Sequence, residues 1–370
     1  MKTLIITLEY PPQIGGVASY TYNLAKNMAP EDVVVYAPQM PGEVEFDKKN
    51  PWKVFRAKPY FLLLWPRWIK LLWQVWRIVK QEQIGQIYVH HALPAGYVAL
   101  LISKFKHIPY TIFFHGTDLL LGVKNKKNKL KKVCAGAQKI VVNSQFLKNQ
   151  FLTHFESVKK EVVVIYPCPD KSFLATVPEN EIKKIKSQLA LEGKKVIITV
   201  ARMSEGKGFP HIIRLLPKIL EKVPNLVWLI IGDGPKKTEI ITAIQKNYLQ
   251  NVTRFIGQVP YAQLPKYYQV SDLFVLLTHP DESGQEAWGT SFVEAAASGI
   301  PSVAGRSGGV EEAVQNLVTG LVVDVYQDQS IISAISDILR ETDYAKKMGQ
   351  AGKERVQNEF TWEKQLEKLK

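Results

Sequence analysis

Two Rossmann-like α/β domains in tandem, their parallel sheets facing a central cleft, are the architecture this sequence predicts. Three observations carry the prediction. Short apolar runs of strand length alternate with helical patterns from end to end, the mark of parallel sheets joined by crossover helices. At 370 residues the chain exceeds what one ordinary core accommodates. Near its middle, Tyr166-Pro167-Cys168-Pro169-Asp170 breaks the alternation with two prolines that continue neither helix nor sheet. The expected division is an N-terminal domain over 1–170 and a C-terminal domain beginning at 171.

The strands expected in the first half are Thr3–Leu8, Asp32–Tyr36, Gln86–Val89, Tyr110–Phe114, Lys139–Asn143 and Val162–Tyr166. Those in the second half are Lys195–Val200, Val227–Ile231, Val252–Ile256, Leu273–Leu276 and Ser302–Ala304. Each run ends in small or polar residues, the end at which open α/β sheets bind ligands. Met1–Leu8 reads as a buried strand entered directly rather than as a secretory leader. Two cysteines, Cys134 and Cys168, are too few for a disulfide framework or a thiolate metal site, which fits a reducing cytosol.

The net charge of +14 is unevenly placed. Residues 1–171 hold 24 Lys and Arg against 11 Asp and Glu, whereas residues 172–370 hold 24 against 23. A basic N-terminal half calls for an anionic partner: nucleic acid, an anionic membrane or a phosphorylated substrate. Nucleic acid is disfavoured, because no helix-turn-helix, zinc knuckle or RNA-binding signature accompanies the charge.

The apolar run Tyr60–Trp65 is far too short to span a bilayer. The helix expected over Pro66–Gln81, with Pro66 in its first turn, is different. Arg67, Lys70, Gln74, Arg77 and Gln81 form a polar stripe, and Trp65, Trp68, Ile69, Leu72, Val75, Trp76 and Val79 an apolar face with Trp73 at its border. Two readings compete: a core helix packed on the sheet, or a helix lying at the headgroup boundary of a membrane. Four tryptophans in twelve residues favour the second. Lys124–Lys132, with six lysines in nine residues, reads by itself as a solvated loop. Beside the tryptophan helix, Lys126, Lys127 and Lys129 become a contact for anionic lipid, at about 1 kcal/mol per lysine before screening.

Four segments carry candidate chemistry. Tyr10–Ala18 places Gly15 and Gly16 between the first strand and the first helix, where backbone amides approach a phosphate. The dinucleotide fingerprint Gly-x-Gly-x-x-Gly is absent. His115-Gly116-Thr117-Asp118 follows a strand and puts His115 where a sugar hydroxyl would lie; His90 and His91, at another strand end, read as histidines satisfied by backbone. Arg202 and Lys207 set two cations on one loop, suited to the charge of a diphosphate as it departs. Glu286-Ala287-Trp288-Gly289-Thr290-Ser291-Phe292-Val293-Glu294 crosses a glycine turn into a small-residue helix. Glu294 suits a ribose diol, Glu286 a donor sugar, and the intervening amides a distal phosphate. Ser291-x-x-Glu294 also reads as a capping box, and one carboxylate cannot serve both tasks fully.

Together these segments resemble the retaining family 4 glycosyltransferases of the GT-B fold over nearly the whole chain. The resemblance rests on the Pro-Pro-x-x-Gly-Gly loop, His115-Gly116, Arg202 with Lys207 and Gly232-Asp233-Gly234-Pro235. It continues through Glu286–Glu294, Ala304–Gly309 and Phe360-Thr361-Trp362-Glu363. In motif detail, Tyr10–Val17 and Ala304–Gly309 look most like the phosphatidylinositol mannosyltransferases. The resemblance implies an acceptor-binding N-terminal domain, a donor-binding C-terminal domain over 171–352, and a last helix over 353–370 that crosses back. It implies chemistry at His115, Arg202, Lys207 and Glu286. Donor binding would add Gly15, Gly16, Trp288, Gly289, Thr290, Ser291 and Glu294. Configuration would be retained, the leaving phosphate assisting as base, with no metal and no Asp-x-Asp motif. Two departures touch domain closure and donor identity: Pro167-Cys168-Pro169-Asp170 replaces the family's Pro-Asn-Gly-Val-Asp, and Trp288 a commoner Phe or Leu.

The expected function is hexose transfer from GDP-mannose or a UDP-hexose, mannose slightly favoured, to a lipid or lipid-linked glycan. It would take place at the inner, cytosolic face of the membrane, with the enzyme peripherally bound. The alternatives are a transferase with a soluble small-molecule acceptor, a nucleotide-sugar epimerase or phosphorylase, and a non-enzymatic membrane-surface protein on a decayed transferase fold.

Overall fold

The computed structural model describes residues 1–61, 65–282 and 284–369, so residues 62–64 of the apolar run Tyr60–Trp65 lie outside the described residues. The chain divides into two compact units, Met1–Pro167 with Trp362–Lys370, and Cys168–Thr361.

The first unit is built on seven parallel strands. In chain order they are β1 (Thr3–Thr7), β2 (Val33–Pro38), β3 (Lys53–Ala57), β4 (Gln86–His90), β5 (Tyr110–Phe114), β6 (Lys139–Val142) and β7 (Glu161–Val164). They lie side by side as β3-β2-β1-β4-β5-β6-β7. The central strand β1 is buried on both faces, with Leu4 in register with Val34 and Ile87. That double burial is why these segments read as unbroken Val/Ile/Leu runs. Strand β3 went unanticipated for the converse reason. It is an edge strand, Lys-Val-Phe-Arg-Ala, half-exposed and interrupted by charge, and its backbone pairing with β2 rather than apolar content holds it.

The second unit contains β8 (Lys195–Val200), β9 (Leu226–Ile231), β10 (Thr253–Gly257), β11 (Leu273–Leu276), β12 (Ser302–Gly305) and β13 (Gly320–Val323), in the order β10-β9-β8-β11-β12-β13. All pairings are parallel. The short edge strand β13 opens on glycine and left no signal. Strand order reverses between β1 and β4 in the first sheet and between β8 and β11 in the second. Such switch points open a crevice at the carboxyl ends of the strands, where α/β sheets take ligands.

Two boundaries differ from expectation. The units part at Pro167 and Cys168 rather than at 170 and 171. The returning segment starts at Trp362, not 353, because the helix Thr342–Glu359 runs on unbroken with Met348, Gly352 and Val356 buried in the second unit. The segment is anchored on the first unit, where the Trp362 ring meets Tyr20 edge-on at 5.2 Å and the Tyr166 amide donates to Gln365 Oε1 at 3.1 Å.

Candidate functional site

In the second unit, β8 and β11 each release their chain at the switch point. The loop after β8 carries Lys207, and the loop after β11 carries Glu286; their side chains form an ion pair, each about one-fifth exposed. The Glu286 backbone is pinned by the loop after β12. Its amide donates to Ser307 Oγ at 3.2 Å, and its carbonyl accepts from the Gly309 amide at 2.9 Å. Gly208 makes the Lys207 turn possible: its φ is +74°, and a Cβ there would lie 2.1 Å from the Leu277 carbonyl oxygen. Arg202, on the same loop, is exposed and pairs with no carboxylate among the described residues. The ion pair therefore joins Lys207 to Glu286 and leaves the Arg202 charge open to an incoming anion.

Beyond Glu286 the chain turns through Gly289, at φ +83°, into the helix Thr290–Ala297. Gly289 is the residue before the helix and no side chain caps it. The expected Ser291–Glu294 capping box does not form: Ser291 is already inside the first turn, and Glu294 faces inward. The Glu294 carboxylate instead accepts from the Tyr268 hydroxyl at 3.0 Å and from Tyr261. Burial pushes its pKa up to about 7, against the two phenols, which favour the anion. Trp288 is buried, and its ring meets Phe360 edge-on at 5.2 Å. Thr290 and Ser291 stay half-exposed at the helix start.

The first unit has its own switch-point cluster. Gly16 opens the helix Gly16–Lys26, and a Cβ there would meet open space; one at Gly15 would stand 3.5 Å from Glu9. His115 follows β5, with its amide donating to Asp118 Oδ1 at 2.9 Å and its carbonyl accepting from Asn143 at 3.2 Å. His90, read from sequence as satisfied by backbone, instead places Nδ1 3.1 Å from His115 Nε2. It is fully buried and stacks on Phe113 at 4.4 Å. Burial, with His91 alongside, holds the His115 imidazole down at about 3; burial holds His90 well below its ordinary value too. Both rings are therefore neutral near pH 7, and His115 can offer a hydrogen bond but not a positive charge. His91 Nδ1 accepts from the Leu8 amide at 3.3 Å and its Nε2 faces Glu9 at 3.4 Å.

The tryptophan helix spans Ile69–Glu82. Pro66 precedes it rather than occupying its first turn. Its buried side is Leu71, Val75, Ile78 and Val79, a stripe turned from the expected apolar face. Gln74, assigned to the polar stripe, turns inward to accept from the buried Tyr36 hydroxyl at 2.7 Å. Trp68 stacks on Tyr97 at 6.3 Å and Trp76 meets Phe105 at 6.2 Å, both half-buried. Trp65 at 86%, Trp73 at 62% and Ile69 at 45% remain exposed, so the core reading holds for one side of the helix only. Arg67 and Arg77 are exposed, and Lys70 lies 5.7 Å from the Phe61 ring centre. Lys124–Lys132 is not a loop. It lies in the helix Thr117–Gly136, kinked at Lys126, with Lys126, Lys127 and Lys129 all exposed. Among the described residues no helix is long and apolar enough to cross a membrane.

Comparison with known proteins finds one family over most of each unit. Residues 14–173 match the family described as Glycosyltransferase Family 4, and residues 181–355 match Glycosyl transferases group 1. A GDP-mannose-dependent alpha-(1-6)-phosphatidylinositol monomannoside mannosyltransferase of Mycolicibacterium smegmatis is 25% identical over 97% of this chain and 94% of its own. Among solved structures, sucrose-phosphate synthase from Thermosynechococcus elongatus matches with a TM-score of 0.83 and 20% identity over 100% of this chain and 97% of that one. Anabaena HepE in complex with UDP-glucose matches at 0.80 and 21%, over 100% and 99%.

Proposed function

We propose that this chain, which has the GT-B fold and matches a glycosyltransferase family over most of each unit, moves a hexose, mannose in first place, from a nucleotide diphosphate sugar to a lipid or lipid-linked glycan. The observation that carries the reading is the meeting of Lys207 and Glu286 at the β8/β11 switch point, beside the exposed Arg202 and the uncapped start of the helix Thr290–Ala297. Fixed cations and free amides at such a point suit a diphosphate.

In this reading Arg202 and Lys207 bind the diphosphate, the amides of Thr290 and Ser291 its distal phosphate, and Glu286 the hexose hydroxyls. Glu294 accepts from the ribose, Gly289 gives the turn that completes the donor site, and Trp288 sets its wall. As the C1–O bond breaks, its electron pair passes to the diphosphate. The acceptor hydroxyl bonds to C1 from the same face, and its proton passes to the departing phosphate oxygen. The cations stabilise the charge that develops, each such contact contributing about 10²–10³ in rate without a metal.

Support for a lipid acceptor comes from the mannosyltransferase relative and from the surface of the first unit. Trp65, Ile69 and Trp73 recur at four-residue spacing and stay exposed, with Phe105 also exposed and Arg67, Arg77 and the lysines at 126, 127 and 129 in the same basic unit. Exposed tryptophan with cationic neighbours suits the headgroup region of an anionic, cytosol-facing membrane. The test is incubation of the purified chain with a panel of nucleotide sugars and membrane lipids, followed by mass analysis. A hexosylated lipid is expected, and wild-type-like transfer by Arg202→Ala and Glu286→Ala would sink the site assignment.

A further inference from the structure

Glu294, proposed above as the ribose contact, is 5% exposed, and its surroundings are specific. Tyr268, fully buried on the helix Leu264–Gln269, donates its hydroxyl to Oε2 at 3.0 Å and also lies 3.5 Å from the Ser291 carbonyl. Tyr261, from the turn Tyr261–Gln263, bonds to the same carboxylate. Phe173 packs on both rings, at 5.1 Å from Tyr261 and 5.9 Å from Tyr268, so neither phenol is free to swing away.

A carboxylate offers about four lone-pair sites. Two phenols fill two of them and leave two, the number that the paired hydroxyls of a ribose require. The phenols also fix the side-chain rotamer, so the open lone pairs are aimed before ligand arrives. Phenols suit this task better than Lys or Arg would, because they hold the carboxylate without neutralising it. We infer that Tyr268, seconded by Tyr261, is a positioning residue for nucleotide recognition, holding Glu294 so that its unused lone pairs accept from a vicinal ribose diol. This rests on the reading of Glu294 as the ribose contact. The titratable groups facing Glu294 are Tyr268 and Tyr261, with Asp170 behind Tyr261. Diol donors favour the anion of a carboxyl that burial holds near neutrality, so ribonucleotide binding near pH 7 should release a proton.

The test is calorimetry on the full chain with GDP and UDP and with their 2′,3′-dideoxy counterparts, across pH and in buffers of different ionisation enthalpy. Wild type should prefer the ribonucleotide and release a proton with it but not with the dideoxy form. Tyr268→Phe should cut that preference about tenfold, the scale of one lost hydrogen bond to a charged group, with dideoxy affinity kept. It should also move the pH at which the preference half-disappears upward, which simple loss of packing would not do. Tyr261→Phe should act in the same direction and stands in if Tyr268→Phe does not fold. An unchanged preference and pH profile in the folded phenylalanine variants, with the preference gone in Glu294→Ala, would overturn the role of the phenols and leave the Glu294 reading intact. A preference that survives in Glu294→Ala, or is missing in wild type, would overturn both.

Discussion

His90 Nδ1 lies 3.1 Å from His115 Nε2, joining the ends of β4 and β5 by two imidazoles that share one hydrogen bond. Neither ring takes up a proton readily, since burial penalises the cation of both. In the unfolded chain a histidine protonates near 6.5. The unfolded state thus binds more protons between that pH and about 3, the value for folded His115. Stability from this pair is fully present above pH 6.5 and falls as pH drops, by about 1.4 kcal/mol per pH unit per histidine. Urea melts from pH 7.5 to 4.5 should show this slope, and it should flatten by about one proton in His115→Asn. An equal slope in the variant counts against the buried pair.

Glu294 acts in the opposite sense. Its folded pKa, about 7, is raised from an ordinary 4.5, so its contribution is fully present below pH 4.5 and lost as pH rises through 7. The shift corresponds to roughly 3 kcal/mol. Glu294→Gln should therefore raise the thermal midpoint at pH 8.5, change it little at pH 4.5, and weaken ribonucleotide binding at pH 8.5, where the wild-type side chain is an anion. A variant destabilised at high pH would contradict the carboxyl environment described above.

Arg202 is exposed and should matter for transfer far more than for folding. Arg202→Ala should lower kcat/KM by about 10²–10³. Its unfolding free energy should stay within about 0.5 kcal/mol of wild type. Lys207→Ala should show a similar kinetic loss with a larger cost in stability, because it strips Glu286 of its partner. Initial rates and denaturant melts on the two proteins separate these effects.

Trp65 and Trp73 should carry membrane attachment, while Trp68 and Trp76 hold the helix down. Trp65→Ser with Trp73→Ser should abolish sedimentation with vesicles rich in phosphatidylglycerol at low salt, with an unchanged melt. Trp68→Ser should lower the melt by about 1–3 kcal/mol, since the ring is half-buried against Tyr97. Vesicle binding that persists in the double variant would remove this helix from the proposal.

Gly208→Ala should be among the most damaging single changes. It adds a Cβ 2.1 Å from the Leu277 carbonyl at a φ of +74°, with a cost of about 3 kcal/mol or more. Thermal unfolding of the variant checks this, and a change below 1 kcal/mol would mean that the loop carrying Lys207 relaxes easily.

Most central strands were legible in advance, β1, β5, β8 and β11 closely so, because strands buried on both faces must be apolar throughout. Strands β3 and β13 were not, since at a sheet edge the backbone ladder suffices and the side chains are unconstrained. Lys124–Lys132 misled in another way: its charge suggested a loop, but lysines on the exposed side of a helix cost that helix little.

By itself the sequence determined two α/β units, the order of their central strands along the chain, which loops carry His115, Arg202, Lys207 and Glu286, and which helix starts carry Gly16 and Glu294. Those follow from local pattern, which period and turn chemistry record residue by residue. Only the tertiary structure decided that Lys207 meets Glu286, that His90 meets His115, and that Tyr268 rather than a helix cap claims Glu294. Each of those partners is brought in from a separate element by sheet pairing and helix packing, a relationship that no local spacing encodes.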